Sequence, residues 1–158
     1  MKKKLKALKK PYRAAAKPTP LRAATKTVHD SSEAQRMALA AAAAALDKKA
    51  MGVEIIDVAG KVDYADYLVL MTGHADRHVA AIADAVDDAL GKQGWHAISI
   101  EGLPRGHWVL IDFVDIVVHV QHDEERSFYE LERLWKDCPV IDLPEDARGG
   151  SGAAEPSE

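Results

Sequence analysis

The feature that most constrains the fold is the stretch 106–122, which has the pattern of two apolar strands joined by a short turn. Residues 107–111 and 116–120 are apolar at nearly every position. Strands buried on both faces have such continuous runs, whereas strands with one solvated face alternate apolar and polar residues. The intervening residues 112–115, Asp-Phe-Val-Asp, are short enough to force a hairpin, and Asp at a turn bonds neighbouring backbone. The sequence therefore predicts a hairpin at the centre of a sheet.

Three further strands and three helices are predicted around this hairpin. The strands combine β-branched and apolar residues between turn residues, at 53–58, 67–72 and 95–100. The helices have strong helix formers or apolar residues at helical spacing, and begin at Ser32, Asp76 and Asp123. The order strand, helix, strand across 67–100 predicts a right-handed parallel crossover. We therefore expect an α/β domain.

Capping signals set the expected limits of the first helix. Ser32 and Gln35 have the spacing of a capping box, in which each side chain satisfies a backbone N–H of the first turn. Gly52 is the expected end, because glycine readily adopts the left-handed conformation of a helix C-terminus. The stripe of large apolar residues is thin, which predicts light packing at the edge of the domain: Met37, Leu39 and Leu46.

The other two helices have similar boundary signals. Asp76 is expected to cap the second helix, with Gly91 or Gly94 as its end. Asp123 is expected to cap the third, and Pro139 to end that element. Four residues of the third helix are predicted to share one face: Phe128, Leu131, Leu134 and Trp135.

Charge divides the 158-residue chain into three parts. Residues 1–29 contain ten Lys or Arg and no acids, whereas residues 30–158 contain 11 basic and 25 acidic residues. We predict a disordered basic arm at 1–29, one domain at 30–143 and a disordered tail at 144–158. The arm is suited to peripheral contact with RNA phosphates, or acts only as a solubilising extension. The acidic body favours a basic partner.

Cys138 is the only cysteine, so neither a disulfide within the chain nor a cysteine-based metal site is expected. A single cysteine fits a reducing cytoplasm. No apolar run reaches the length that a membrane-spanning helix needs, and the basic start lacks the apolar core of a secretory signal. We therefore predict a cytoplasmic protein with no membrane contact.

Two histidine pairs have spacings that suggest metal ligands, and each has a simpler structural explanation. His119 and His122 are three residues apart, but a strand places such residues on opposite faces unless it bends. His74 and His78 are four apart and could add to them. A hydrogen-bonded His119 within the sheet is the alternative. We predict neither a metal site nor a cofactor.

Trp108 is the residue whose role the sequence leaves most open. It begins a core strand beside a loop and within a few residues of acidic groups. A tryptophan in such a position is either part of the core or the anchor of a protein-binding surface.

Seven motifs at 66–135 occur in the order known for one family. They are Asp66-Tyr-Leu-Val-Leu-Met-Thr-Gly73, Asp76-Arg-His-Val79, Ile82-Ala-Asp84, Glu101-Gly102, Trp108-Val-Leu-Ile-Asp112, Asp115-Ile-Val-Val-His119 and Tyr129-Glu-Leu-Glu-Arg-Leu-Trp135. Together they resemble the RsfS/Iojap family of ribosomal silencing factors, and the match runs from about residue 34 to about residue 138.

The resemblance implies a fold and a function. It implies a mixed five-stranded sheet flanked by helices, similar to a nucleotidyltransferase core without its catalytic acids. It also implies binding to ribosomal protein uL14 on the large ribosomal subunit, which blocks joining of the small subunit and represses translation when nutrients are limiting. No enzymatic activity is implied. A homodimer of the free protein is left open.

Two positions depart from the family pattern. Val114 stands where the family usually has glycine in the hairpin turn, so we expect a different turn type here, because valine at positive φ is costly. His74-Ala75 replaces Thr-Ser, which weakens the cap of the following helix.

We expect Trp108 to be the interface anchor, and the predicted partner-binding residues are Glu101, Trp108, Asp112, Asp115, His119 and Tyr129. Asp112 and Asp115 sit at the hairpin turn, so not all of the acids can touch the Trp108 ring. The competing hypothesis is a metal-dependent nucleotidyltransferase relative. It would use Asp63 and Asp66 beside the turn at Gly73.

Overall fold

The computed structural model describes residues 31–143. Within this range the helices are α1 (Ser31–Asp47), α2 (Asp76–Lys92) and α3 (Asp123–Tyr129), followed by a 3-10 helix at Leu131–Trp135. The strands are β1 (Met51–Asp57), β2 (Tyr67–Gly73), β3 (Ser99–Glu101), β4 (Trp108–Asp112), β5 (Ile116–His122) and β6 (Val140–Ile141). None of the helices described is long and apolar enough to cross a membrane. The predicted arm at 1–29 and tail at 144–158 lie outside the described residues.

The strands form one mixed sheet in the order β3-β4-β5-β2-β1-β6. β2 and β5 pair in parallel, and all other neighbours are antiparallel. β3 runs in the same direction as β2, because two antiparallel pairings separate it from β5. The parallel direction of the predicted crossover is therefore correct, although β4 and β5 lie between its two strands.

The predicted central hairpin is confirmed. Every residue of β4 is buried, and so is every residue of β5 except His122. The expected α/β class is also confirmed, but the sheet has six strands where five were expected. The extra strand, β6, has only two residues and pairs with β1. It follows Pro139 directly, and two residues are too few to produce a periodic signal in the sequence.

Each face of the sheet has its own apolar cluster, because successive strand residues point to opposite sides. The first face, which includes Val69 and Val118, is covered by α1 and α2. The second face, which includes Leu70 and Val117, packs against residues from the loop 58–65 and from the 3-10 helix. The candidate site described below lies on this second face.

α1 packs more closely than its few large apolar residues predict. Its buried residues are mostly alanines, namely Ala34, Met37, Ala38, Ala41, Ala42 and Ala45. Small side chains allow the helix to approach the sheet and α2 closely, and α1 contacts β1, β2 and β5 as well as α2. The prediction of light packing at the domain edge is therefore wrong.

Several predicted element limits are also wrong. α1 begins at Ser31, so Ser32 is inside the helix and not its cap. The helix ends at Asp47, and Lys49, two residues later, takes a left-handed φ of 65°. Gly52, the expected end, lies within β1. Likewise, the third predicted strand is only Ser99–Glu101. At the end of α1, a left-handed residue other than glycine, Lys49, set the limit.

The third predicted helix is two elements in the structure. Glu130 adopts a left-handed conformation with φ 46° and ends α3, and the 3-10 helix follows. His122, not Asp123, is the N-cap residue, since its Nδ1 accepts a hydrogen bond from the Glu124 backbone N–H. The break also separates the four apolar residues expected to share a face. Phe128 and Leu134 are exposed, whereas Leu131 and Trp135 pack on the sheet.

The hairpin turn keeps a positive φ at the position where valine replaces glycine. Val114 has φ 79°, so the premise that valine would avoid a positive φ here is wrong. Its backbone N–H donates to Asp112 Oδ1 at 2.8 Å, and the Phe113 N–H donates to the Ile116 carbonyl oxygen at 3.0 Å. These bonds hold a β-branched residue in a conformation that L-residues disfavour by about 1–2 kcal/mol.

We predict that Val114→Gly raises the free energy of unfolding by about 0.5–1 kcal/mol, measured by urea denaturation. Glycine removes the left-handed penalty but adds some entropy to the unfolded chain, so the net gain is smaller than the penalty. Val114→Ala is the control, because alanine keeps most of the φ cost. A glycine variant no more stable than the alanine variant would contradict the presence of strain in this turn.

Candidate partner-binding site

Polar and aromatic side chains interrupt the apolar second face where β2, β4 and β5 lie side by side. β4 contributes Trp108, which pairs across the strands with Gln121 of β5, and Leu110 pairs with His119. β2 contributes Thr72, in register with Gln121. All of these residues are buried. The alternation of the strands thus places Trp108, His119, Gln121 and Thr72 on the same face, beneath α3.

Trp108 and His119 are joined by a buried hydrogen bond. The indole N–H donates to His119 Nδ1 at 3.1 Å. Because an indole N–H can only donate, Nδ1 is the unprotonated nitrogen and the ring proton lies on Nε2. Burial, with a smaller effect from the charge of Arg126, lowers the pKa of His119 from 6.5 to about 3. The imidazole is therefore neutral at physiological pH.

A chain of ring contacts leads from this pair to the surface. The Tyr129 ring lies 4.8 Å from the Trp108 ring between centroids, in a tilted arrangement. Phe128 meets Tyr129 edge-on at a centroid distance of 4.8 Å. Edge-on and tilted pairs at such distances are the favoured geometries of aromatic side chains. The rings therefore connect the buried Trp108 to the exposed Phe128.

Arg126 ties α3 to the sheet. Its guanidinium donates to Thr72 Oγ1 at 2.9 Å and to Glu132 Oε1 at 3.2 Å, and it lies 3.7 Å from Glu54 Oε1. Only 13% of the Arg126 side chain is exposed. Hydrogen bonds to a charged group are stronger than neutral ones, so this set fixes the helix over β1 and β2. Gly52 of β1 lies beside the guanidinium, where a Cβ would be in van der Waals contact with Arg126 Nη1 at 3.4 Å.

Gln121 is the one side chain on this face whose polar atoms are buried without a hydrogen-bond partner among the described residues. Both its amide nitrogen and its amide oxygen are unpaired, and the residue is fully buried. An unpaired buried amide destabilises a fold. The cost falls directly beside Trp108 and Thr72, in the middle of the candidate site.

The structure brings together only some of the predicted partner-binding residues. Trp108, His119 and Tyr129 are in one cluster. Asp112 and Asp115 lie at the hairpin turn, at the opposite end of β4, where Asp112 Oδ1 accepts the Val114 N–H and the Asp115 carbonyl accepts the Asp66 N–H.

Exposure divides the same set differently. Trp108 is 6% exposed, and Asp112 and His119 are buried too, whereas Asp115 and Tyr129 are half-buried and Glu101 is exposed. Glu101 is held near Trp108 by the next residue, because Gly102 has φ 104° and a Cβ there would collide with the Trp108 carbonyl oxygen. The assignment of partner contacts to this set stays a prediction.

The histidines considered as metal ligands have other roles in the fold. His74 and His78 stack with ring centroids 4.9 Å apart. His78 Nδ1 accepts the His74 backbone N–H at 2.9 Å, which leaves Nε2 to donate to the Lys48 carbonyl oxygen at 2.8 Å. Across residues 31–143, no group of three or more His, Cys, Asp or Glu side chains is placed to hold a metal ion.

The acids of the competing enzyme hypothesis lie far from the turn they would need. Asp66 directly precedes β2, whereas Gly73 is its last residue. A strand of this length separates its ends by roughly 20 Å. The turn itself carries His74. The N-cap of the following helix α2 is Ala75, which makes no side-chain hydrogen bond, as the weakened cap predicts, whereas Asp76, the expected cap, is the first residue of the helix.

Arg126 and Phe128 are the residues of this region that sequence reasoning missed. The third helix was interpreted only by its apolar stripe, which placed Phe128 inside and gave Arg126 no role. Arg126 and Tyr129 are three residues apart, so on a helix they lie on the same face. That spacing, together with the acids at Glu54 and Glu132, was the available signal, but the pairing with Thr72 depends on the tertiary fold.

Comparison with known proteins gives the family. The sequence matches the family described as "Ribosomal silencing factor during starvation" over residues 31–158. Ribosomal silencing factor RsfS of Bacillus subtilis is 43% identical over 103 residues, covering 65% of this chain and 87% of the relative. RsfS of Halalkalibacterium halodurans is 39% identical over 97 residues, covering 61% of this chain and 83% of the relative.

A solved structure agrees with the sequence match. The crystal structure of a Chromobacterium violaceum protein superposes with a TM-score of 0.63 at 31% identity, covering 65% of this chain and 85% of that chain. The fold is therefore that of a regulatory α/β domain found in ribosomal silencing factors. The chain belongs to the RsfS family. The resemblance seen in the seven motifs is confirmed.

The low pKa of His119 predicts acid sensitivity of the fold. The unfolded chain binds a proton at His119 near pH 6.5, but the folded chain does so only near pH 3, so stability falls as the pH drops below 6.5. We predict that between pH 7 and pH 5 the wild-type protein loses about 2 kcal/mol more of its free energy of unfolding than His119→Gln. Glutamine keeps an acceptor for the Trp108 N–H but does not titrate. Urea titrations at both pH values compare the two losses, and equal losses would contradict a neutral buried His119.

The unpaired amide of Gln121 predicts a stabilising substitution. Methionine has a similar shape and no amide, so Gln121→Met should raise the free energy of unfolding by about 1–2 kcal/mol in urea denaturation at pH 7. Gln121→Glu is the matched control and should lower it, because it buries a charge. A methionine variant less stable than wild type would show that the amide makes hydrogen bonds that matter.

Proposed function

We propose that this protein silences translation by binding the large ribosomal subunit through ribosomal protein uL14 and blocking the small subunit sterically. The proposal rests on its membership of the RsfS family, whose description names silencing of ribosomes during starvation. Repression under nutrient limitation, action by binding without enzymatic activity, and a cytoplasmic location are parts of the same proposal.

The charge of the domain supports a basic partner. Residues 31–143 contain 20 Asp or Glu and 10 Lys or Arg. Opposite charge steers the encounter of two proteins and fixes their relative orientation, so an acidic domain is suited to a basic ribosomal protein. The same charge repels exposed RNA, which favours protein over RNA as the main contact of the domain.

The arrangement of the second face supports binding without chemistry. Two sets of its polar groups are committed to one another: the Trp108 N–H to His119, and the Arg126 guanidinium to Thr72 and Glu132. Such contacts hold a surface in a fixed shape. Steric blocking requires a fixed shape, affinity and bulk.

We predict that the purified protein sediments with free large subunits and lowers the yield of joined ribosomes when the two subunits are mixed. The variant that lacks residues 1–29 should retain the block, because the domain carries the proposed contact. Sucrose-gradient profiles measure both effects. An unchanged yield of joined ribosomes at saturating protein would show that the proposed silencing is wrong. If the full-length protein blocks joining and the variant without residues 1–29 does not, the block depends on RNA contact through the arm.

Two other measurements test the role of the arm and the oligomeric state of the free protein. Peripheral contact of the arm with ribosomal RNA would make binding more salt-sensitive in the full-length chain than in the shortened one. A homodimer of the free protein would appear in sedimentation equilibrium as twice the chain mass.

A further inference from the structure

The outer surface of α3 presents an aromatic ring to solvent. Phe128 is 60% exposed, whereas the other phenylalanine of the domain, Phe113, is only 3% exposed. The ring is not loosely placed, because it packs edge-on against Tyr129, which in turn packs on the buried Trp108. Arg126 fixes the same helix to β2 through Thr72. The fold therefore holds Phe128 outward on a rigid base.

Acidic groups lie beside the exposed ring. Asp123, Glu124, Ser127 and Phe128 line an open depression of about 520 Å³. Asp123 and Glu124 are both exposed, and Asp123 Oδ1 lies 2.9 Å from His122 Nδ1. The segment 123–137 as a whole carries six acidic and three basic residues. The depression thus combines a π face, two carboxylates and a hydroxyl.

We infer that this depression is a docking site for an arginine side chain of the basic protein that the domain binds. A guanidinium stacks on an aromatic face and is held by carboxylates at its edge, and this combination suits arginine better than any other side chain. The inference rests on the proposed function and deepens it: the surface that contacts the ribosomal partner is centred on Phe128. Trp108 supports that surface from beneath, through Tyr129.

Charge and chemistry favour this occupant over the others. An apolar partner would desolvate two carboxylates without offering either a hydrogen bond, which is costly. A nucleic acid would bring phosphates against Asp123 and Glu124. A second copy of the domain would bring an acidic surface, since acids outnumber bases two to one in residues 31–143. An arginine side chain of a basic protein can pair with the two carboxylates and stack on the Phe128 ring at the same time.

The first test uses the full-length protein and short peptides, without ribosomes. We expect acetyl-Gly-Arg-Gly-amide to shift the backbone amide signals of residues 123–129 in two-dimensional NMR, and acetyl-Gly-Lys-Gly-amide to shift them about 2–5-fold more weakly at equal concentration. Phe128→Ala should abolish the difference between the peptides. Shifts spread over the acidic surface, or equal shifts from both peptides, would overturn the assignment.

The second test measures binding to purified large subunits by sedimentation. Phe128→Ala should weaken binding at least about tenfold, as loss of a central interface residue does, and Phe128→Leu should recover only part of it. Ile98→Ala is the matched control, because Ile98 is also 60% exposed but lies beside the edge strand β3. Glu124→Lys should weaken binding more than Asp84→Lys, which makes a similar charge reversal on α2. Thermal melts confirm that each variant folds.

The outcomes separate the two proposals. If wild-type protein fails to bind large subunits while the arginine peptide still shifts residues 123–129, the proposed function fails and the arginine site stands. If wild type binds and Phe128→Ala binds equally well, the proposed function stands and the docking site is wrong. Equal loss in Glu124→Lys and Asp84→Lys would show general charge attraction without a local site, and would also overturn it.

Discussion

The hydrogen bond from the Trp108 indole to neutral His119 is the interaction on which the second face of the sheet depends. Both partners are buried, so the loss of either would leave a buried nitrogen of the other, the indole Nε1 or His119 Nδ1, without this hydrogen bond. The bond sets the orientation of the indole ring. Tyr129 packs on that ring, and its place determines how α3 lies across the sheet. A buried contact between two adjacent strands thus acts together with the Arg126 bonds in positioning α3.

This arrangement requires that only one of two neighbouring basic groups carry a charge. Arg126 cannot lose its proton in a protein, whereas imidazole can, and the pKa of His119 is lowered to about 3. The Arg126 charge is met by Thr72, Glu132 and Glu54. A protonated His119 would point an N–H at the indole N–H and add a second positive charge near Arg126. The fold therefore keeps the histidine as an acceptor.

The sequence was sufficient for the class of fold and for its centre, because continuous apolar runs and a short acidic turn admit few alternatives. It failed where the outcome depended on contacts distant in the chain. β6 exists because it can pair with β1, and α1 packs closely because its alanines meet a complementary sheet. Val114 keeps positive φ since Asp112 and the strand pairing hold the turn. For the site, the sequence found Trp108, His119 and Tyr129, but the left-handed Glu130 that ends α3 had no local signal.

The buried Trp108 supports the proposed docking surface, whereas the exposed Phe128 forms it, and this separation affects how substitutions in this domain should be interpreted. Trp108 is almost inaccessible, so a Trp108 variant that loses ribosome binding does not by itself show that the indole touches the partner. Loss of the ring would leave His119 without its donor and Tyr129 without its packing surface, and would move the helix that carries Phe128. A contact residue and a supporting residue then give the same loss of binding. They differ in stability, since removal of a buried aromatic costs about 3–5 kcal/mol and truncation of an exposed one costs little.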